Sequence, residues 1–172
     1  IHDIAEFYVP SKYSAVQVIY RKAIAFLAAR QSDLIVTVSN FSREAIAERF
    51  SISKAKIVVT YNGVDHLKLG AGAVEGVSAG VSALQPYVLY FGVVERTKGV
   101  EKIVFSVEKL RAQGVDLRVI IAGRQGNASE DLEKIYQSRR DWVAILGHVP
   151  DEKLINLISA ASAVVFPSEY AG

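Results

Sequence analysis

Cysteine is absent from the 172-residue chain, and so is methionine. Without thiols the chain has neither a disulfide framework nor a thiolate metal site, which fits a cytosolic protein. The three histidines (His2, His66 and His148) lie far apart in the sequence and match none of the usual spacings of zinc ligands. These absences predict that the protein holds no structural zinc ion.

Long apolar runs and blocks of like charge are also missing. No segment approaches the roughly 18 consecutive apolar residues that a membrane-spanning helix needs. The 20 basic residues nearly balance the 18 acidic ones and are scattered along the chain, so the charge pattern does not favour nucleic acid as a partner. An initiating methionine is lacking as well, and we expect the sequence to be a fragment of a longer protein.

The residues that are present describe a folded chain, since 51% are hydrophobic and 22% are charged. In the first part, strands are predicted over residues 34–38 and 57–60, with a helix between them that Ser39 or Asn40 can cap. A one-faced helix is predicted from Ser14 to Arg30. Its apolar stripe consists of Val16, Ile19, Ala23, Phe26 and Leu27.

A segment of different composition follows. Residues 70–83 contain only glycine, alanine, serine and valine apart from Glu75, with no clear period, which predicts a linker or surface loop. We therefore assign residues 1–61 to the end of one domain, residues 62–84 to a connection between domains, and residues 85–172 to a second domain.

The second part repeats a strand and a helix about every 25 to 30 residues, which predicts a parallel sheet with helices on both faces. The predicted strands are residues 87–94, 117–122, 142–146 and 163–166. The predicted helix starts are Thr97, Ser129 and Pro150–Asp151, and Gly114 ends the first helix. Such sheets bind ligands at the carboxyl ends of their strands, so the loops after the strands are the candidate site.

The first of these loops, residues 92–99, carries Arg96 and Lys98 between two glycines. Cations at a strand-to-helix turn suit phosphate oxygens, although two ordinary surface cations are the plainer interpretation. The next loops begin Gly123-Arg124 and Gly147-His148-Val149. Glycine after a buried strand lets a ligand approach the backbone, but it is also common for turn geometry alone.

The order and spacing of short motifs along nearly the whole chain resemble glycosyltransferase family 4, retaining enzymes of the two-domain GT-B type. The motifs in the first part are His2-Asp3, Ser32-Asp33, Thr37-Val38-Ser39 with Phe41-Ser42, and Asn62-Gly63-Val64-Asp65. Those in the second part are residues 92–99, Ile121-Ala122-Gly123, Gly147-His148-Val149-Pro150, Ala161-Ser162-Ala163 and Phe166-Pro167-Ser168.

The resemblance implies an α/β fold with two Rossmann-like parallel-sheet domains. The chain would hold the end of the amino-terminal, acceptor-side domain and much of the carboxy-terminal, donor-binding domain. The implied activity moves a sugar from a nucleoside-diphosphate sugar to a hydroxyl of a glycan or lipid-linked acceptor, with retention of configuration. No cofactor, metal or nucleic acid is implied. The implied location is cytoplasmic, and a peripheral contact with the inner membrane face through the missing amino-terminal part is left open.

Roles for single residues follow from the resemblance. His2 matches the catalytic histidine that faces the transferred sugar. The residues expected to bind the donor diphosphate are Gly92, Arg96 and Lys98. The loops expected to receive the base and ribose, largely through backbone groups, carry Gly123, Arg124, Gly147, His148 and Val149.

Two departures from the family pattern keep alternatives open. Val93 stands where the family commonly has arginine, and Ala171 stands at the place of the first of two glutamates, the second of which is absent. An inactive nucleotide-binding homologue or an interaction module of the same fold is therefore the alternative function. An oxidoreductase is disfavoured, because the G-x-G-x-x-G dinucleotide fingerprint is absent.

Overall fold

The computed structural model describes residues 1–63 and 85–170, which form two compact units. The first unit contains residues 1–63 with Glu169 and Tyr170, and the second contains residues 85–168. Tyr170, which the sequence analysis assigned to the second domain, stacks on Tyr8 with 5.1 Å between ring centroids. The predicted connection over residues 62–84 lies outside the described residues from position 64 onward.

The first unit is built on a two-stranded parallel sheet. In chain order its elements are α1 (Ala5–Tyr8), α2 (Ala15–Gln31), β1 (Ile35–Thr37), α3 (Asn40–Phe50) and β2 (Ile57–Val59). Short polar side chains fix the helix starts: Ser14 forms a capping box with Gln17, and Ser39 accepts the amide of Ser42. Both starts agree with the sequence prediction.

The apolar stripe of α2 is exposed, although the apolar face of a helix is usually buried. Val16 and Ile19 are 76% and 71% exposed, and Phe26 and Leu27 are about half exposed. The small residues Ala25 and Ala29 on the opposite face are buried instead, among Ile35, Ile57 and the residues of α3. The periodicity therefore predicted the helix correctly, but the first unit buries its small-residue face.

The second unit is a four-stranded parallel sheet with the strand order β5-β4-β3-β6. In chain order its elements are β3 (Tyr87–Phe91), α4 (Val100–Ala112), β4 (Arg118–Ala122), α5 (Ser129–Gln137), β5 (Val143–Gly147), α6 (Asp151–Ala160) and β6 (Ala163–Val164). Successive strands are joined through helices, and each pair of neighbouring strands in the sheet is parallel, as the sequence predicted.

Apolar residues cover both faces of this sheet, which explains why its strands are nearly continuous apolar runs. One face packs Tyr90, Val119 and Ile121 against α4 and α5. The other packs Tyr87, Leu89 and Ile120 against α6, whose Leu157 is fully buried. The sheet is thus a rigid support for the loops at its carboxyl edge.

Strand and helix boundaries at that edge differ from the prediction by a few residues. β3 ends at Phe91, since Gly92 leaves the extended conformation at a φ of +126°. Thr97 does not cap α4; it lies in a 3₁₀ turn, Arg96–Lys98, and Gly99 at a φ of +60° is the cap residue. Ser129 is the first residue of α5, and its hydroxyl accepts the amide of Gly126 at 2.9 Å.

Candidate functional site

Three glycine loops meet at the carboxyl edge of the four-stranded sheet. The amide of Gly92 donates to the carbonyl of Ala122 at 2.9 Å, and the amide of Gly123 donates to the carbonyl of Gly147 at 2.7 Å. One step further, the amide of Val94 donates to the carbonyl of Arg124 at 3.1 Å. The loops after β3, β4 and β5 are therefore tied to one another by backbone hydrogen bonds.

Glycine at position 123 is required by the packing of these loops. A Cβ atom added to Gly123 would lie 1.7 Å from the carbonyl oxygen of Gly92, a separation that no pair of nonbonded atoms tolerates. The contact is backbone against backbone, so no side-chain rotation could relieve it. The surface that results exposes main-chain groups to a ligand.

The side chain of Tyr90 supports the loop that follows β3. Its side chain is 1% exposed, and its hydroxyl donates to the carbonyl of Val93 at 2.8 Å. Burial, with a smaller contribution from the charge of Glu95, raises the pKa of Tyr90 to about 12. The phenol therefore stays protonated and continues to donate this hydrogen bond at neutral pH.

A cavity of about 260 Å³ opens between the three loops. It brings together five of the predicted site residues, namely Gly92, Gly123, Arg124, His148 and Val149. Its remaining lining residues are Phe91, Val93, Ala122, Asp151 and Leu154. The walls combine main-chain groups, apolar side chains and three polar side chains, which is the usual make-up of a small-molecule site.

Asp151 is the one polar residue in the lining of this cavity that was not predicted from the sequence. It is the first residue of α6 and follows Gly147 by four positions. An acidic residue in the first turn of a helix is explained by the helix dipole alone, so its position did not mark it as a ligand-binding group. The signal that points to it is its place at the start of the helix that directly follows the loop at Gly147.

A larger cavity of about 490 Å³ lies beside α5 and β5 and shares Gly123 with the first. It contains the predicted residue Gly147, but its charged side chains are the carboxylates of Glu130 and Glu133. Because no lysine, arginine or histidine lines it, its chemistry is unsuited to a diphosphate. The smaller cavity is therefore the candidate site, despite its size.

The two predicted diphosphate cations lie near each other but line neither cavity. The guanidinium of Arg96 is exposed and lies 3.2 Å from the carboxylate of Asp131 on α5, while its amide donates to Asn127 at 2.9 Å. Lys98 is half-buried in the 3₁₀ turn before α4. Arg96 is thus turned towards α5. Of these two cations, Arg96 contacts a carboxylate in the described part of the chain and Lys98 does not.

His2 belongs to the first unit, whereas the other predicted site residues belong to the second. Its carbonyl accepts the hydroxyl of Thr37 at 3.1 Å, which holds it beside the carboxyl end of β1. Its imidazole is exposed and lies 3.8 Å from the carboxylate of Asp3.

The described residues contain neither a candidate metal site nor a candidate membrane span. No group of three or more histidine, aspartate or glutamate side chains in these residues could hold a metal ion. No helix within residues 1–63 or 85–170 is long and apolar enough to cross a membrane.

Comparison with known proteins identifies the family. The model of the glycosyl transferases group 1 family matches residues 77–172, and that of glycosyltransferase family 4 matches residues 1–67. The chain belongs to the group 1 glycosyltransferases. The two matches divide this group 1 chain near the boundary between its two units.

Two curated relatives of this group 1 chain come from bacteria. The O-antigen chain mannosyltransferase B of Escherichia coli is 29% identical over 99% of the chain and 46% of its own length. The glycogen synthase of Mycobacterium tuberculosis is 31% identical over 82% of the chain and 33% of its own length. The chain thus spans less than half the length of these relatives.

Solved structures show the same fold. HepE of Anabaena in complex with UDP superposes with a TM-score of 0.72 at 19% identity, over 99% of the chain and 46% of HepE. The catalytic domain of starch synthase IV from Arabidopsis thaliana, bound to ADP and acarbose, gives a TM-score of 0.58 at 16% identity, over 83% of the chain and 36% of that domain. The chain therefore has part of the α/β GT-B fold.

Proposed function

We propose that the protein transfers a sugar from a nucleoside-diphosphate sugar to a hydroxyl of a glycan or lipid-linked acceptor, with retention of configuration. The observation that carries the proposal is the set of interlocked glycine loops, which form a cavity at the carboxyl edge of a parallel sheet in a group 1 glycosyltransferase. HepE, which has the same fold, has been crystallised in complex with UDP and with UDP-glucose.

In this proposal each part of the site takes one part of the donor. The loops at Gly123 and Gly147 receive the base and ribose. Lys98 and the amino end of α4 bind the diphosphate, where positive charge and helix-end amides stabilise the leaving group without a metal ion. Arg96 also binds the diphosphate once its ion pair with Asp131 is broken. That ion pair is exposed, so breaking it costs little free energy. His2 faces the transferred sugar.

We further propose that the 172 residues are part of a longer cytoplasmic enzyme and do not transfer sugar alone. Two observations support this: relatives are more than twice as long, and the apolar face of α2 lacks a covering layer in the described residues. Catalysis needs groups held to fractions of an ångström, and an error of about 1 Å costs roughly 100-fold. Because the glycine loops are present, the chain alone should still bind nucleotide, but weakly.

The test compares the full-length protein with the 172-residue chain. Both are incubated with UDP-, GDP- and ADP-sugars in the presence of a chelator, and released nucleotide and product are measured. Product from the full-length protein, with the anomeric configuration of the donor, is the expected result. Binding without turnover by the full-length protein would instead favour the inactive homologue. Efficient transfer by the 172 residues alone would show that the site has been misplaced.

A further inference from the structure

The charged side chains of the smaller cavity have opposite hydrogen-bonding capacities. Arg124 can only donate, and the ionised carboxylate of Asp151 can only accept. His148, the third polar side chain, can do either according to its tautomer and so does not discriminate. Neither Arg124 nor Asp151 makes a side-chain hydrogen bond or ion pair with another described residue. Both are therefore available to a bound molecule.

Asp151 is held by a packed element and not by a loose loop. It opens α6, a helix anchored to the sheet by the fully buried Leu157. The hydroxyl of Tyr87 donates to the carbonyl of Leu157 at 2.7 Å and fixes the helix further. The neighbouring Glu152 occupies the same first turn but does not line the cavity. A general effect of the helix dipole would act on both carboxylates, whereas a ligand contact would concern Asp151 alone.

Nucleobases differ in how well they match this pair of side chains. Guanine presents two adjacent donors, N1–H and the N2 amine, which one carboxylate can accept together. On its other edge it presents the acceptors O6 and N7, which arginine binds in bidentate fashion. Adenine places an amine donor beside N7, and uracil has a single N–H between two carbonyls, so each satisfies the pair less completely.

We propose that the base of the donor nucleotide is guanine and that the carboxylate of Asp151 selects it by accepting N1–H and the N2 amine. Arg124, on the loop after β4, binds the opposite edge of the base. The inference rests on the proposed function, because it presumes that the smaller cavity receives the base of a nucleoside diphosphate.

The test measures the affinities of GDP, IDP, UDP and ADP for the full protein by calorimetry. IDP is guanosine diphosphate without the N2 amine, so it probes one half of the contact to Asp151. GDP should bind about tenfold more tightly than IDP, the usual worth of one hydrogen bond to a charged group, and UDP and ADP should bind no more tightly than IDP because each satisfies the pair less completely. Asp151→Asn keeps the size of the side chain but presents an amide to the N2 amine, so the GDP/IDP ratio should fall to about one. Glu152→Gln, the matched control, should leave the ratio at about ten.

The outcomes separate this inference from the proposed function. Tighter binding of UDP or ADP than of GDP, or equal loss of all four nucleotides in Asp151→Asn, overturns the guanine assignment and leaves the transferase proposal standing. Equal binding of GDP and IDP by the parent protein has the same consequence. Absence of binding for all four nucleotides by the full protein overturns both.

Discussion

At the scale of single residues, Lys98 tests the diphosphate assignment most directly. Its side chain makes no hydrogen bond or ion pair with the described residues, so its removal should leave the fold intact. Lys98→Ala should weaken nucleoside-diphosphate binding by about 1.5–3 kcal/mol, the usual worth of a charged hydrogen bond. Calorimetry gives the affinity, and thermal unfolding should show an almost unchanged melting temperature.

The control for this change is Lys109→Ala, at the exposed last turn of α4. It removes the same charge from the helix that follows Lys98, at the end remote from the glycine loops, and it should leave the affinity unchanged and the stability nearly so. An affinity of Lys98→Ala within about twofold of the parent would remove Lys98 from the site.

Tyr90 should make the stability of the protein sensitive to alkaline pH. Its pKa is about 12 in the folded protein against 10.0 for an ordinary tyrosine, so the unfolded chain loses the proton first. This contribution is fully present below about pH 10 and is lost as pH rises towards 12, by up to about 1.4 kcal/mol per pH unit. Urea unfolding between pH 9 and pH 11.5 measures the slope.

In Tyr90→Phe the decline of unfolding free energy with pH should be shallower than in the parent. Tyr20→Phe, which changes an exposed tyrosine on α2, is the matched control and should keep the parent slope. Identical slopes for all three proteins would mean that the phenol of Tyr90 ionises at an ordinary pH in the folded state.

At the scale of structural elements, the contact between two glycine loops makes a sharper prediction. In Gly123→Ala the added methyl group would overlap the carbonyl oxygen of Gly92, so the loops after β3 and β4 must separate. We expect a loss of about 1–3 kcal/mol in unfolding free energy and a loss of nucleotide affinity of at least about tenfold, since the cavity between the loops is deformed.

Gly114→Ala separates the effect of the contact from that of backbone strain. Gly114 has a φ of +90° but no atom within 4 Å of an added Cβ, so the change should cost about 1 kcal/mol of stability through strain alone. Its affinity for nucleotide should equal that of the parent. Parent-like affinity in Gly123→Ala would show that the loop contact does not shape the site.

The elements themselves could be predicted from the sequence because local signals specify them. Ser14 and Ser39 cap helices, and the apolar runs of β3 and β4 indicate strands buried on both faces. The strand and helix boundaries at the carboxyl edge of the sheet were less predictable, since Gly92 and Gly99 adopt positive φ values that the hydrophobic pattern does not predict. The face that α2 buries depends on its tertiary neighbours, which periodicity does not describe.

The candidate site was predictable to the same extent as the topology. Carboxyl ends of parallel strands meet at one edge, so Gly92, Gly123 and Gly147 were expected together. The pairing of Arg96 with Asp131 was not, since it joins side chains 35 positions apart in the sequence. Asp151 was missed because its position in a first helical turn already had a sufficient explanation.

At the scale of the whole molecule, the exposed face of α2 predicts self-association of the 172-residue chain. Val16, Ile19, Tyr20, Ile24 and Leu27 form an apolar surface on this helix, and contiguous patches of this kind promote contact between proteins. Ile19→Glu should therefore lower the apparent mass of the isolated chain at micromolar concentration, as measured by sedimentation. Ser106→Glu, on the exposed side of α4, adds the same charge elsewhere and should not. Equal masses for parent and Ile19→Glu would exclude this face as the contact.

The strand order of the second unit has a consequence for how the protein is made. β3 leaves the ribosome first but pairs on one side with β6, through Val88 and Ala163, about 75 residues later. At about 5–20 residues per second, that edge of the nascent sheet stays open for roughly 4 to 15 s. During this interval the apolar strand β3 lacks at least one of its two hydrogen-bonding neighbours. Chaperone occupancy on translating ribosomes should accordingly peak after β3 has emerged and fall once β6 is outside the exit tunnel.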